Sequence, residues 1–125
     1  MAQYESYKAL PGKFVNGQLT LGENIADLSG LQIAFRAYQY LAVFQPASLP
    51  GDFTSEQRFF IAWSRVWREK TRAKRALQLL TTDPHSPSAF RANVAAVNHD
   101  CFHAAFETQL GDQMFKAPAE RIRIG

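Results

Sequence analysis

Two carboxylates that could take part in metal chemistry stand four residues apart in the stretch TLGENIADLSGLQ, residues 20–32. The surrounding apolar residues predict a helix, which places Glu23 and Asp27 one turn apart on the same face. Like charges at this spacing repel each other, and the stretch contains no basic side chain beside them. A metal ligand, together with an acid that orients a neighbouring ligand, is one chemistry that would use such a pair.

The face that carries the two acids continues with small residues, Gly30, Ala34 and Ala37. A solvated face would carry long polar side chains there, so the small residues predict close packing against another element. Carboxylates on a packed face need a cation or a metal as a partner. A structural interpretation stays open, because Thr20 and Glu23 match a capping box and acids in a first turn favour the helix dipole.

Helices dominate the secondary structure that the apolar spacing predicts. Four helical segments are expected, beginning near Thr20, near Thr54, around Phe90 and near Asn98. The second continues past a basic stretch as one bent helix or as two, and a loop is expected at residues 45–52. Residues 1–19 are expected to form an irregular or extended lead-in, and strands should be few. The predicted fold is all-α, with about four helices and irregular connectors.

Length and composition indicate a single globular domain or sub-domain over residues 1–125. Hydrophobic residues make up 46% of the chain, which excludes a disordered chain. The net charge of +3 does not by itself indicate a nucleic-acid partner. No apolar run reaches the ~18 residues of a membrane span. The single cysteine, Cys101, excludes an internal disulfide.

Four blocks of the sequence resemble the neprilysin and endothelin-converting enzyme family of zinc metallopeptidases. The blocks are VNGQLTLGENIADLSGLQIAFRAYQY (15–40), FFIAWSRVWREK (59–70), DPHSPSAFRANVAAVNHDCFHAAF (83–106), and GDQMF with PAERIRI at the end. They cover nearly the whole chain in the family's order, and ENIAD with its trailing small residues is a specific family signature. The resemblance implies the C-terminal portion of a zincin-like catalytic domain that hydrolyses peptide bonds in small peptides.

The resemblance also implies a role for each candidate site residue. In that family the glutamate of the ENIAD motif is the third zinc ligand, and the aspartate four residues later holds a ligand histidine. Glu23 would therefore bind Zn²⁺ and Asp27 would orient a histidine. His85 would donate a hydrogen bond to the oxyanion, and Arg91 would hold a substrate carbonyl and pair with a carboxylate such as Asp27. The ligand set would resemble the His₂Glu sites that leave a fourth position for water.

A zinc endopeptidase of this kind also needs His-Glu-x-x-His on a helix, and this chain has no such sequence. The segment HDCFH spaces His99 and His103 like metal ligands, but its aspartate is one methylene too short to replace the glutamate. We interpret these histidines as the border of a core face, with no function required of Cys101. The family keeps its histidine motif upstream of the ENIAD block, so the expected partner is an upstream part of the same catalytic domain. This chain alone is predicted to be inactive.

The resemblance further implies peptide substrates, no nucleic acid and no membrane contact by this segment. It implies a parent protein outside the cytoplasm, whether periplasmic, secreted or a membrane-anchored ectodomain. The alternative is a helical binding or scaffold module without catalysis, because SRVWREKTRAKR (64–75) mixes six basic residues with Trp67 and could follow phosphates. Glu69 interrupts that run and no nucleic-acid motif accompanies it, so an ordinary solvated helix face is the simpler interpretation.

Overall fold

The computed structural model describes residues 1–44 and 51–124, and within them the chain is predominantly helical. Its helices are α1 (Ala2–Glu5), α2 (Leu21–Phe44), α3 (Ser55–Val66), α4 (Ala73–Thr82), α5 (Ser88–Val97) and α6 (Asp100–Phe106), followed by a 3₁₀ turn at Pro118–Glu120. An antiparallel hairpin of β1 (Lys8–Leu10) and β2 (Lys13–Phe14) lies between α1 and α2. The all-α class is confirmed. Most of the loop predicted at residues 45–52 lies outside the described residues.

The N-terminal lead-in is more ordered than predicted. It contains α1 and the β1–β2 hairpin, whose turn holds Gly12 at a φ of 68°. Glycine adopts this left-handed conformation without steric cost, which suits it to the turn. Strands of three and two residues are too short to produce a readable alternation of apolar and polar positions. Tyr4 and Val15, on either side of the hairpin, are buried in the core.

The basic stretch divides the second predicted helix into two. α3 ends at Val66, with Trp67 in the C-cap position, and α4 begins at Ala73. The start of α3 is fixed by a capping box, in which the Thr54 hydroxyl accepts from the backbone amide of Gln57 and the Gln57 side chain accepts from the amide of Thr54. This reciprocal pair satisfies two amides that a helix start leaves unpaired.

Helix α5 lies at the centre of the fold and packs against α2, α3 and α6. Its buried residues are small or β-branched: Ala92, Val94, Ala95, Ala96 and Val97. Small side chains at a helix contact allow the neighbouring backbones to approach closely. As a result, the first turn of α5 is held against the first turns of α2, where the candidate site residues lie.

An aromatic cluster joins α2, α3 and α6 on the other side of the core. Phe35 is 2% exposed, and its ring stacks on that of Phe60 with centroids 5.3 Å apart. Phe102 meets Phe60 edge-on at 5.5 Å, and the His99 ring meets Phe35 edge-on at 5.0 Å. Aromatic pairs of this kind contribute about 0.5–1.5 kcal/mol beyond the area that they bury. The cluster therefore fixes how α2 and α6 pack on α3.

One face of α2 has no covering element among the described residues, so the predicted close packing of Gly30, Ala34 and Ala37 is wrong for this chain. All three are exposed, and a Cβ added to Gly30 would meet no atom within 4 Å. Ile33 and Tyr40 of the same helix are 69% and 72% exposed. A helix that is apolar on nearly all sides is typical of the interior of a larger protein. In the described part of the chain, no helix combines the length and hydropathy of a membrane crossing.

Candidate active site

Arg91, in the first turn of α5, donates two parallel hydrogen bonds to Asp27 of α2. Its Nε donates to Oδ2 and its Nη2 donates to Oδ1, both at 2.7 Å. The two side chains are 16% and 8% exposed, respectively. A bidentate, largely buried pair of this kind is stronger than an exposed ion pair, and the hydrogen bond with Asp27 raises the pKa of Arg91. Asp27 thus obtains from α5 the positive neighbour that its own stretch of sequence lacks.

The ring of Trp67 supports the same arginine from another side. The guanidinium carbon of Arg91 lies 3.9 Å from the centroid of the Trp67 ring. A cation–π contact contributes about 0.5–2 kcal/mol, with the larger values at desolvated positions. Sequence analysis noted Trp67 within a basic stretch and did not identify Arg91 as its partner. Nothing in the local sequence could reveal it, because the two residues are far apart in the chain.

His85 stands between two carboxylates. Its Nδ1 lies 2.7 Å from Oδ1 of Asp83, which also accepts from the His85 backbone amide at 2.9 Å. The Nε2 atom of His85 lies 3.2 Å from Oε2 of Glu23. The side chains of His85 and Glu23 are each more than 40% exposed. The backbone amide and then the ring of His85 lower the pKa of Asp83, so this acid stays ionised. Asp83 was missed by sequence analysis, although the spacing Asp-Pro-His offered a signal, since a carboxylate two residues before a histidine can fold back onto its ring.

A buried chain of polar groups attaches the His85 segment to α2. The hydroxyl of Ser86 donates to Oδ1 of Asn24 at 2.6 Å, and Nδ2 of Asn24 donates to the Thr20 hydroxyl at 2.9 Å. That hydroxyl donates in turn to the carbonyl of Asn16 at 2.8 Å. Ser86, Asn24 and Thr20 are each 3% exposed. Because buried polar groups are costly to leave unpaired, this chain holds the segment in one position.

The same contacts revise the interpretation of the start of α2. Thr20 uses its hydroxyl for Asn16 and Asn24, so the expected capping box of Thr20 with Glu23 is absent from the described contacts. The carboxylate of Glu23 is therefore not used to cap α2, and it remains available for another role.

Of the two acids on α2, Glu23 is the one whose carboxylate could reach a metal ion. Its side chain is 42% exposed, whereas each oxygen of Asp27 already accepts a hydrogen bond from Arg91. Catalytic zinc takes three protein ligands and keeps an open fourth position. Within residues 1–44 and 51–124, no group of three or more histidine, cysteine or acidic side chains could hold a metal ion. The described residues therefore fit only part of a zinc site, because they offer a single carboxylate ligand.

The HDCFH segment forms hydrogen bonds inside the fold. His103 is 7% exposed, and its two ring nitrogens lie 2.8 Å from the Val97 carbonyl and 2.6 Å from the Thr108 hydroxyl. His99 caps α6, since its Nδ1 accepts from the backbone amide of Cys101 at 3.2 Å. Burial lowers the pKa of both histidines, which favours their neutral forms. The sequence analysis interpreted these histidines as the border of a core face; His103 is buried and His99 is partly buried.

A cavity of about 500 Å³ opens beside His85 and Arg91. Much of its wall is apolar, with Leu10, Val66, Trp67, Leu79, Leu80 and Pro87 among the lining residues. Glu69 and Asp83 also line it. Its volume lies in the range of pockets that bind small ligands. Sequence patterns could not predict this cavity, because its walls come from the hairpin, the α3–α4 connector, α4 and the start of α5.

Comparison with known proteins shows the family to which the chain belongs. The family model for Peptidase family M13 matches residues 1–122. The chain belongs to peptidase family M13, and its resemblance to the neprilysin and endothelin-converting enzyme family is confirmed.

Individual relatives support the same assignment. Neprilysin-21 of Caenorhabditis elegans is 40% identical over 120 residues, which are 90% of this chain and 16% of that protein. Endothelin-converting enzyme 1 of Rattus norvegicus is 42% identical over 115 residues, again 90% of this chain and 15% of that protein. A crystal structure of the Mycobacterium tuberculosis zinc metalloprotease Zmp1 with an inhibitor matches 98% of this chain and 20% of its own, with a TM-score of 0.92 and 42% identity. The chain thus spans about a sixth of the length of these curated relatives.

The arginine fork predicts a stability change that is measurable without any substrate. Arg91→Lys should lower the free energy of unfolding by about 1–2 kcal/mol, because lysine cannot form the bidentate pair with Asp27 or stack on Trp67 in the same way. Denaturant unfolding measures the change. Arg36→Lys, at an exposed position of α2, is the control and should change stability by less than about 0.5 kcal/mol. Equal effects of the two substitutions would contradict a structural role for the fork.

Proposed function

We propose that this chain is the C-terminal part of the catalytic domain of a zinc endopeptidase that cleaves small peptides. Residues 1–125 would form one domain or sub-domain of that catalytic domain. The observation that carries the proposal is the convergence of Glu23, His85 and the Asp27–Arg91 pair beside one cavity, in a chain of peptidase family M13. Peptides would be the substrates, and neither nucleic acid nor a membrane is expected to contact this segment.

Glu23 would hold zinc as one of three protein ligands, with two histidines supplied by an upstream His-Glu-x-x-His helix. The position of its side chain supports this role, because it is partly exposed and no arginine or lysine occupies it among the described contacts. Zinc, when bound, would supply the Lewis acidity that polarises a peptide carbonyl and lowers the pKa of water. Asp27 would orient one of the upstream histidines through the lone pairs that Arg91 leaves free.

His85 would stabilise the negative charge that develops on the carbonyl oxygen of the scissile bond. Asp83 accepts from Nδ1 and fixes the plane of the ring, which directs Nε2 towards the same space as Glu23. A ring protonated on both nitrogens would donate from Nε2 to the oxyanion while Asp83 balances its charge. Donors of this kind contribute about 2.7–4 kcal/mol of transition-state stabilisation.

Arg91 would position the substrate by donating to one of its backbone carbonyls. Asp27 occupies Nε and one hydrogen of Nη2, so Nη1 remains available on the guanidinium group. The contact with Trp67 and the fork with Asp27 keep that nitrogen in place before substrate arrives. Such preorganisation lowers the entropy cost of orienting the scissile bond.

The uncovered face of α2 supports an upstream part of the catalytic domain as the partner of this chain. The face carries exposed apolar side chains, including Ile33, Tyr40 and Leu41, at 69%, 72% and 63% exposure. Burying them against an upstream helix would remove apolar surface from water along the helix that also carries Glu23 and Asp27. The parent protein would work outside the cytoplasm, in line with the family resemblance.

The alternative of a helical binding module with a basic helix gains no support from the site. Residues 64–75 are divided between the end of α3, a connector and the start of α4, so they do not form one continuous basic helix face. Trp67, the aromatic residue of this stretch, is engaged by Arg91. The basic side chains are exposed, as an ordinary solvated surface would be.

A comparison of the isolated chain with the full-length protein that contains it tests the proposal. The isolated chain should show no peptide hydrolysis above the blank and only weak zinc binding, because one carboxylate is an incomplete zinc site. The full-length protein should retain about one zinc per polypeptide and cleave a small fluorogenic peptide. A full-length protein that hydrolyses no peptide, or an isolated chain whose hydrolysis survives a chelator, would refute the proposal.

A further inference from the structure

Tyr4 of α1 is a buried titratable residue to which the proposed chemistry gives no task. Its side chain is 1% exposed, and among the described residues its buried hydroxyl has no hydrogen-bond partner. Buried polar groups are nearly always paired, because an unpaired one loses its hydration and gains nothing in exchange. A tyrosine at a position where phenylalanine would pack equally well therefore indicates that the oxygen has a task.

The phenol of Tyr4 lies on the side of the core where Asp27 and Arg91 meet. The Tyr4 ring meets the Tyr7 ring edge-on with centroids 6.1 Å apart, and Tyr7 stacks at 5.5 Å on Phe90, which directly precedes Arg91. Burial is the main cause that raises the pKa of Tyr4, and the charge of Asp27 raises that pKa further, whereas the charge of Arg91 lowers it. The hydroxyl thus stays protonated at neutral pH and can donate a hydrogen bond.

The residues on either side of Tyr4 hold α1 in place. The Gln3 side chain accepts from Nδ2 of Asn98 at 2.7 Å and donates from its own Nε2 to a backbone carbonyl of the C-terminal 3₁₀ turn at 2.9 Å. Glu5 packs closely on Gly17, since a Cβ added to this glycine would lie 2.6 Å from Cγ of Glu5. These contacts fix the position of the Tyr4 ring before any partner of its hydroxyl arrives.

Asp27 is the acceptor best suited to this hydroxyl. A carboxylate offers about four lone-pair sites, of which Arg91 uses two and the proposed upstream histidine would use one. An ionised carboxylate also accepts more strongly than the neutral hydroxyl of Tyr7. We propose that in the full-length protein Tyr4 donates to the remaining site and is a positioning residue, which steadies Asp27 while Asp27 orients the histidine. The inference rests on the proposed function and goes beyond it by adding a residue that acts through Asp27.

Packing alone is the competing interpretation of Tyr4, because its ring belongs to the same buried cluster as Leu31 and Val94. Tyr4→Phe keeps the ring and removes only the oxygen, so it separates packing from positioning. If the hydroxyl has no task, its removal deletes an unpaired buried polar group and should leave zinc binding unchanged. Tyr7→Phe is the matched control, since it removes a hydroxyl from the neighbouring, partly buried ring.

The test measures the zinc affinity of the full-length protein by competition with a chromophoric chelator, together with kcat at saturating zinc. Tyr4→Phe should weaken zinc binding by about three- to tenfold, which is less than the 10–100-fold typical when an orienting partner is lost altogether. It should also lower kcat without lowering the melting temperature of the zinc-free protein. Tyr7→Phe should change none of these quantities. In a protein that already carries Asp27→Asn, Tyr4→Phe should weaken zinc binding by less than about twofold, because the hydroxyl acts through Asp27.

A Tyr4→Phe protein that binds zinc as tightly as the wild type would overturn the inference while leaving the proposed peptidase intact. Equal losses from Tyr4→Phe with and without Asp27→Asn would also overturn it, because the hydroxyl would then not act through Asp27. A lower melting temperature of the zinc-free Tyr4→Phe protein would assign the residue to packing. Unchanged zinc affinity in Asp27→Asn alone would instead contradict the role of Asp27 in the proposed function.

Discussion

Replacing Glu23 by valine should remove zinc from the full-length protein and reduce peptide hydrolysis to the blank rate. Changing groups that only orient a zinc ligand typically costs 10–100-fold in affinity or activity, and loss of a ligand itself should cost more. Valine offers no atom that can coordinate the metal. The measurement is zinc per polypeptide by atomic absorption after exhaustive dialysis, with peptide cleavage followed in the same samples. We expect the Glu23→Val protein to contain far less than one zinc per polypeptide.

Glu120→Val provides the matched control, since this exposed glutamate lies outside the site. It should retain about one zinc per polypeptide and the activity of the wild type. If the Glu23→Val protein also retains one zinc per polypeptide after dialysis, the assignment of Glu23 as a ligand is wrong.

His85→Ala should have the opposite pattern, with zinc retained and rate lost. The full-length variant should keep about one zinc per polypeptide, because His85 is proposed to contact substrate oxygen and not the metal. Loss of an oxyanion donor costs about 10²–10³ in kcat. Because the interaction forms in the transition state, kcat should fall far more than KM changes. Steady-state kinetics and metal analysis of the same preparation measure both effects.

Asp83→Asn separates the ring of His85 from the residue that orients it. Asparagine keeps the size of the side chain but removes the charge that faces Nδ1. A smaller loss of kcat than in His85→Ala, with zinc again retained, would fit an orienting role. Full activity of His85→Ala, or loss of its zinc, would exclude the proposed role of His85.

The long helices could be predicted from the sequence because their apolar residues recur at helical spacing. Phe35 of α2 and Phe60 of α3 lie at this spacing, and both are buried. The start of α3 was placed within one residue of Ser55 because Thr54 is a favourable cap. Local signals of this kind depend on residues close together in the chain, which explains why they can be read from one sequence.

Features that depend on contacts between residues distant in the chain were harder to predict from the sequence. The small residues Gly30, Ala34 and Ala37 predicted a closely packed face, but nothing in the described chain covers that face. The short strands gave no periodic signal, and the break between α3 and α4 occurs where charged residues blur the pattern. In each case the missing information concerns which elements meet in space.

The candidate site likewise combines residues that the sequence indicated with contacts between residues that are distant in the chain. The spacing of Glu23 and Asp27 alone indicated a pair with possible metal chemistry, whereas the roles of His85 and Arg91 came only from the family resemblance. The fork between Arg91 and Asp27 joins residues 64 positions apart, and the Trp67 contact joins two different helical segments. Asp83, which sequence analysis missed, differs from these contacts, because it lies within three residues of His85 in the sequence.

The most direct test of the account is a crystal structure of the zinc-loaded full-length protein with anomalous data collected at the zinc edge. We predict one anomalous peak beside the first turn of α2, with an oxygen of Glu23 about 2.0–2.2 Å from the metal. Two histidine nitrogens from an upstream helix should complete the protein ligands, and Arg91 should remain on Asp27. A zinc peak elsewhere, with Glu23 still against His85, would contradict the central claim that this helix supplies a metal ligand.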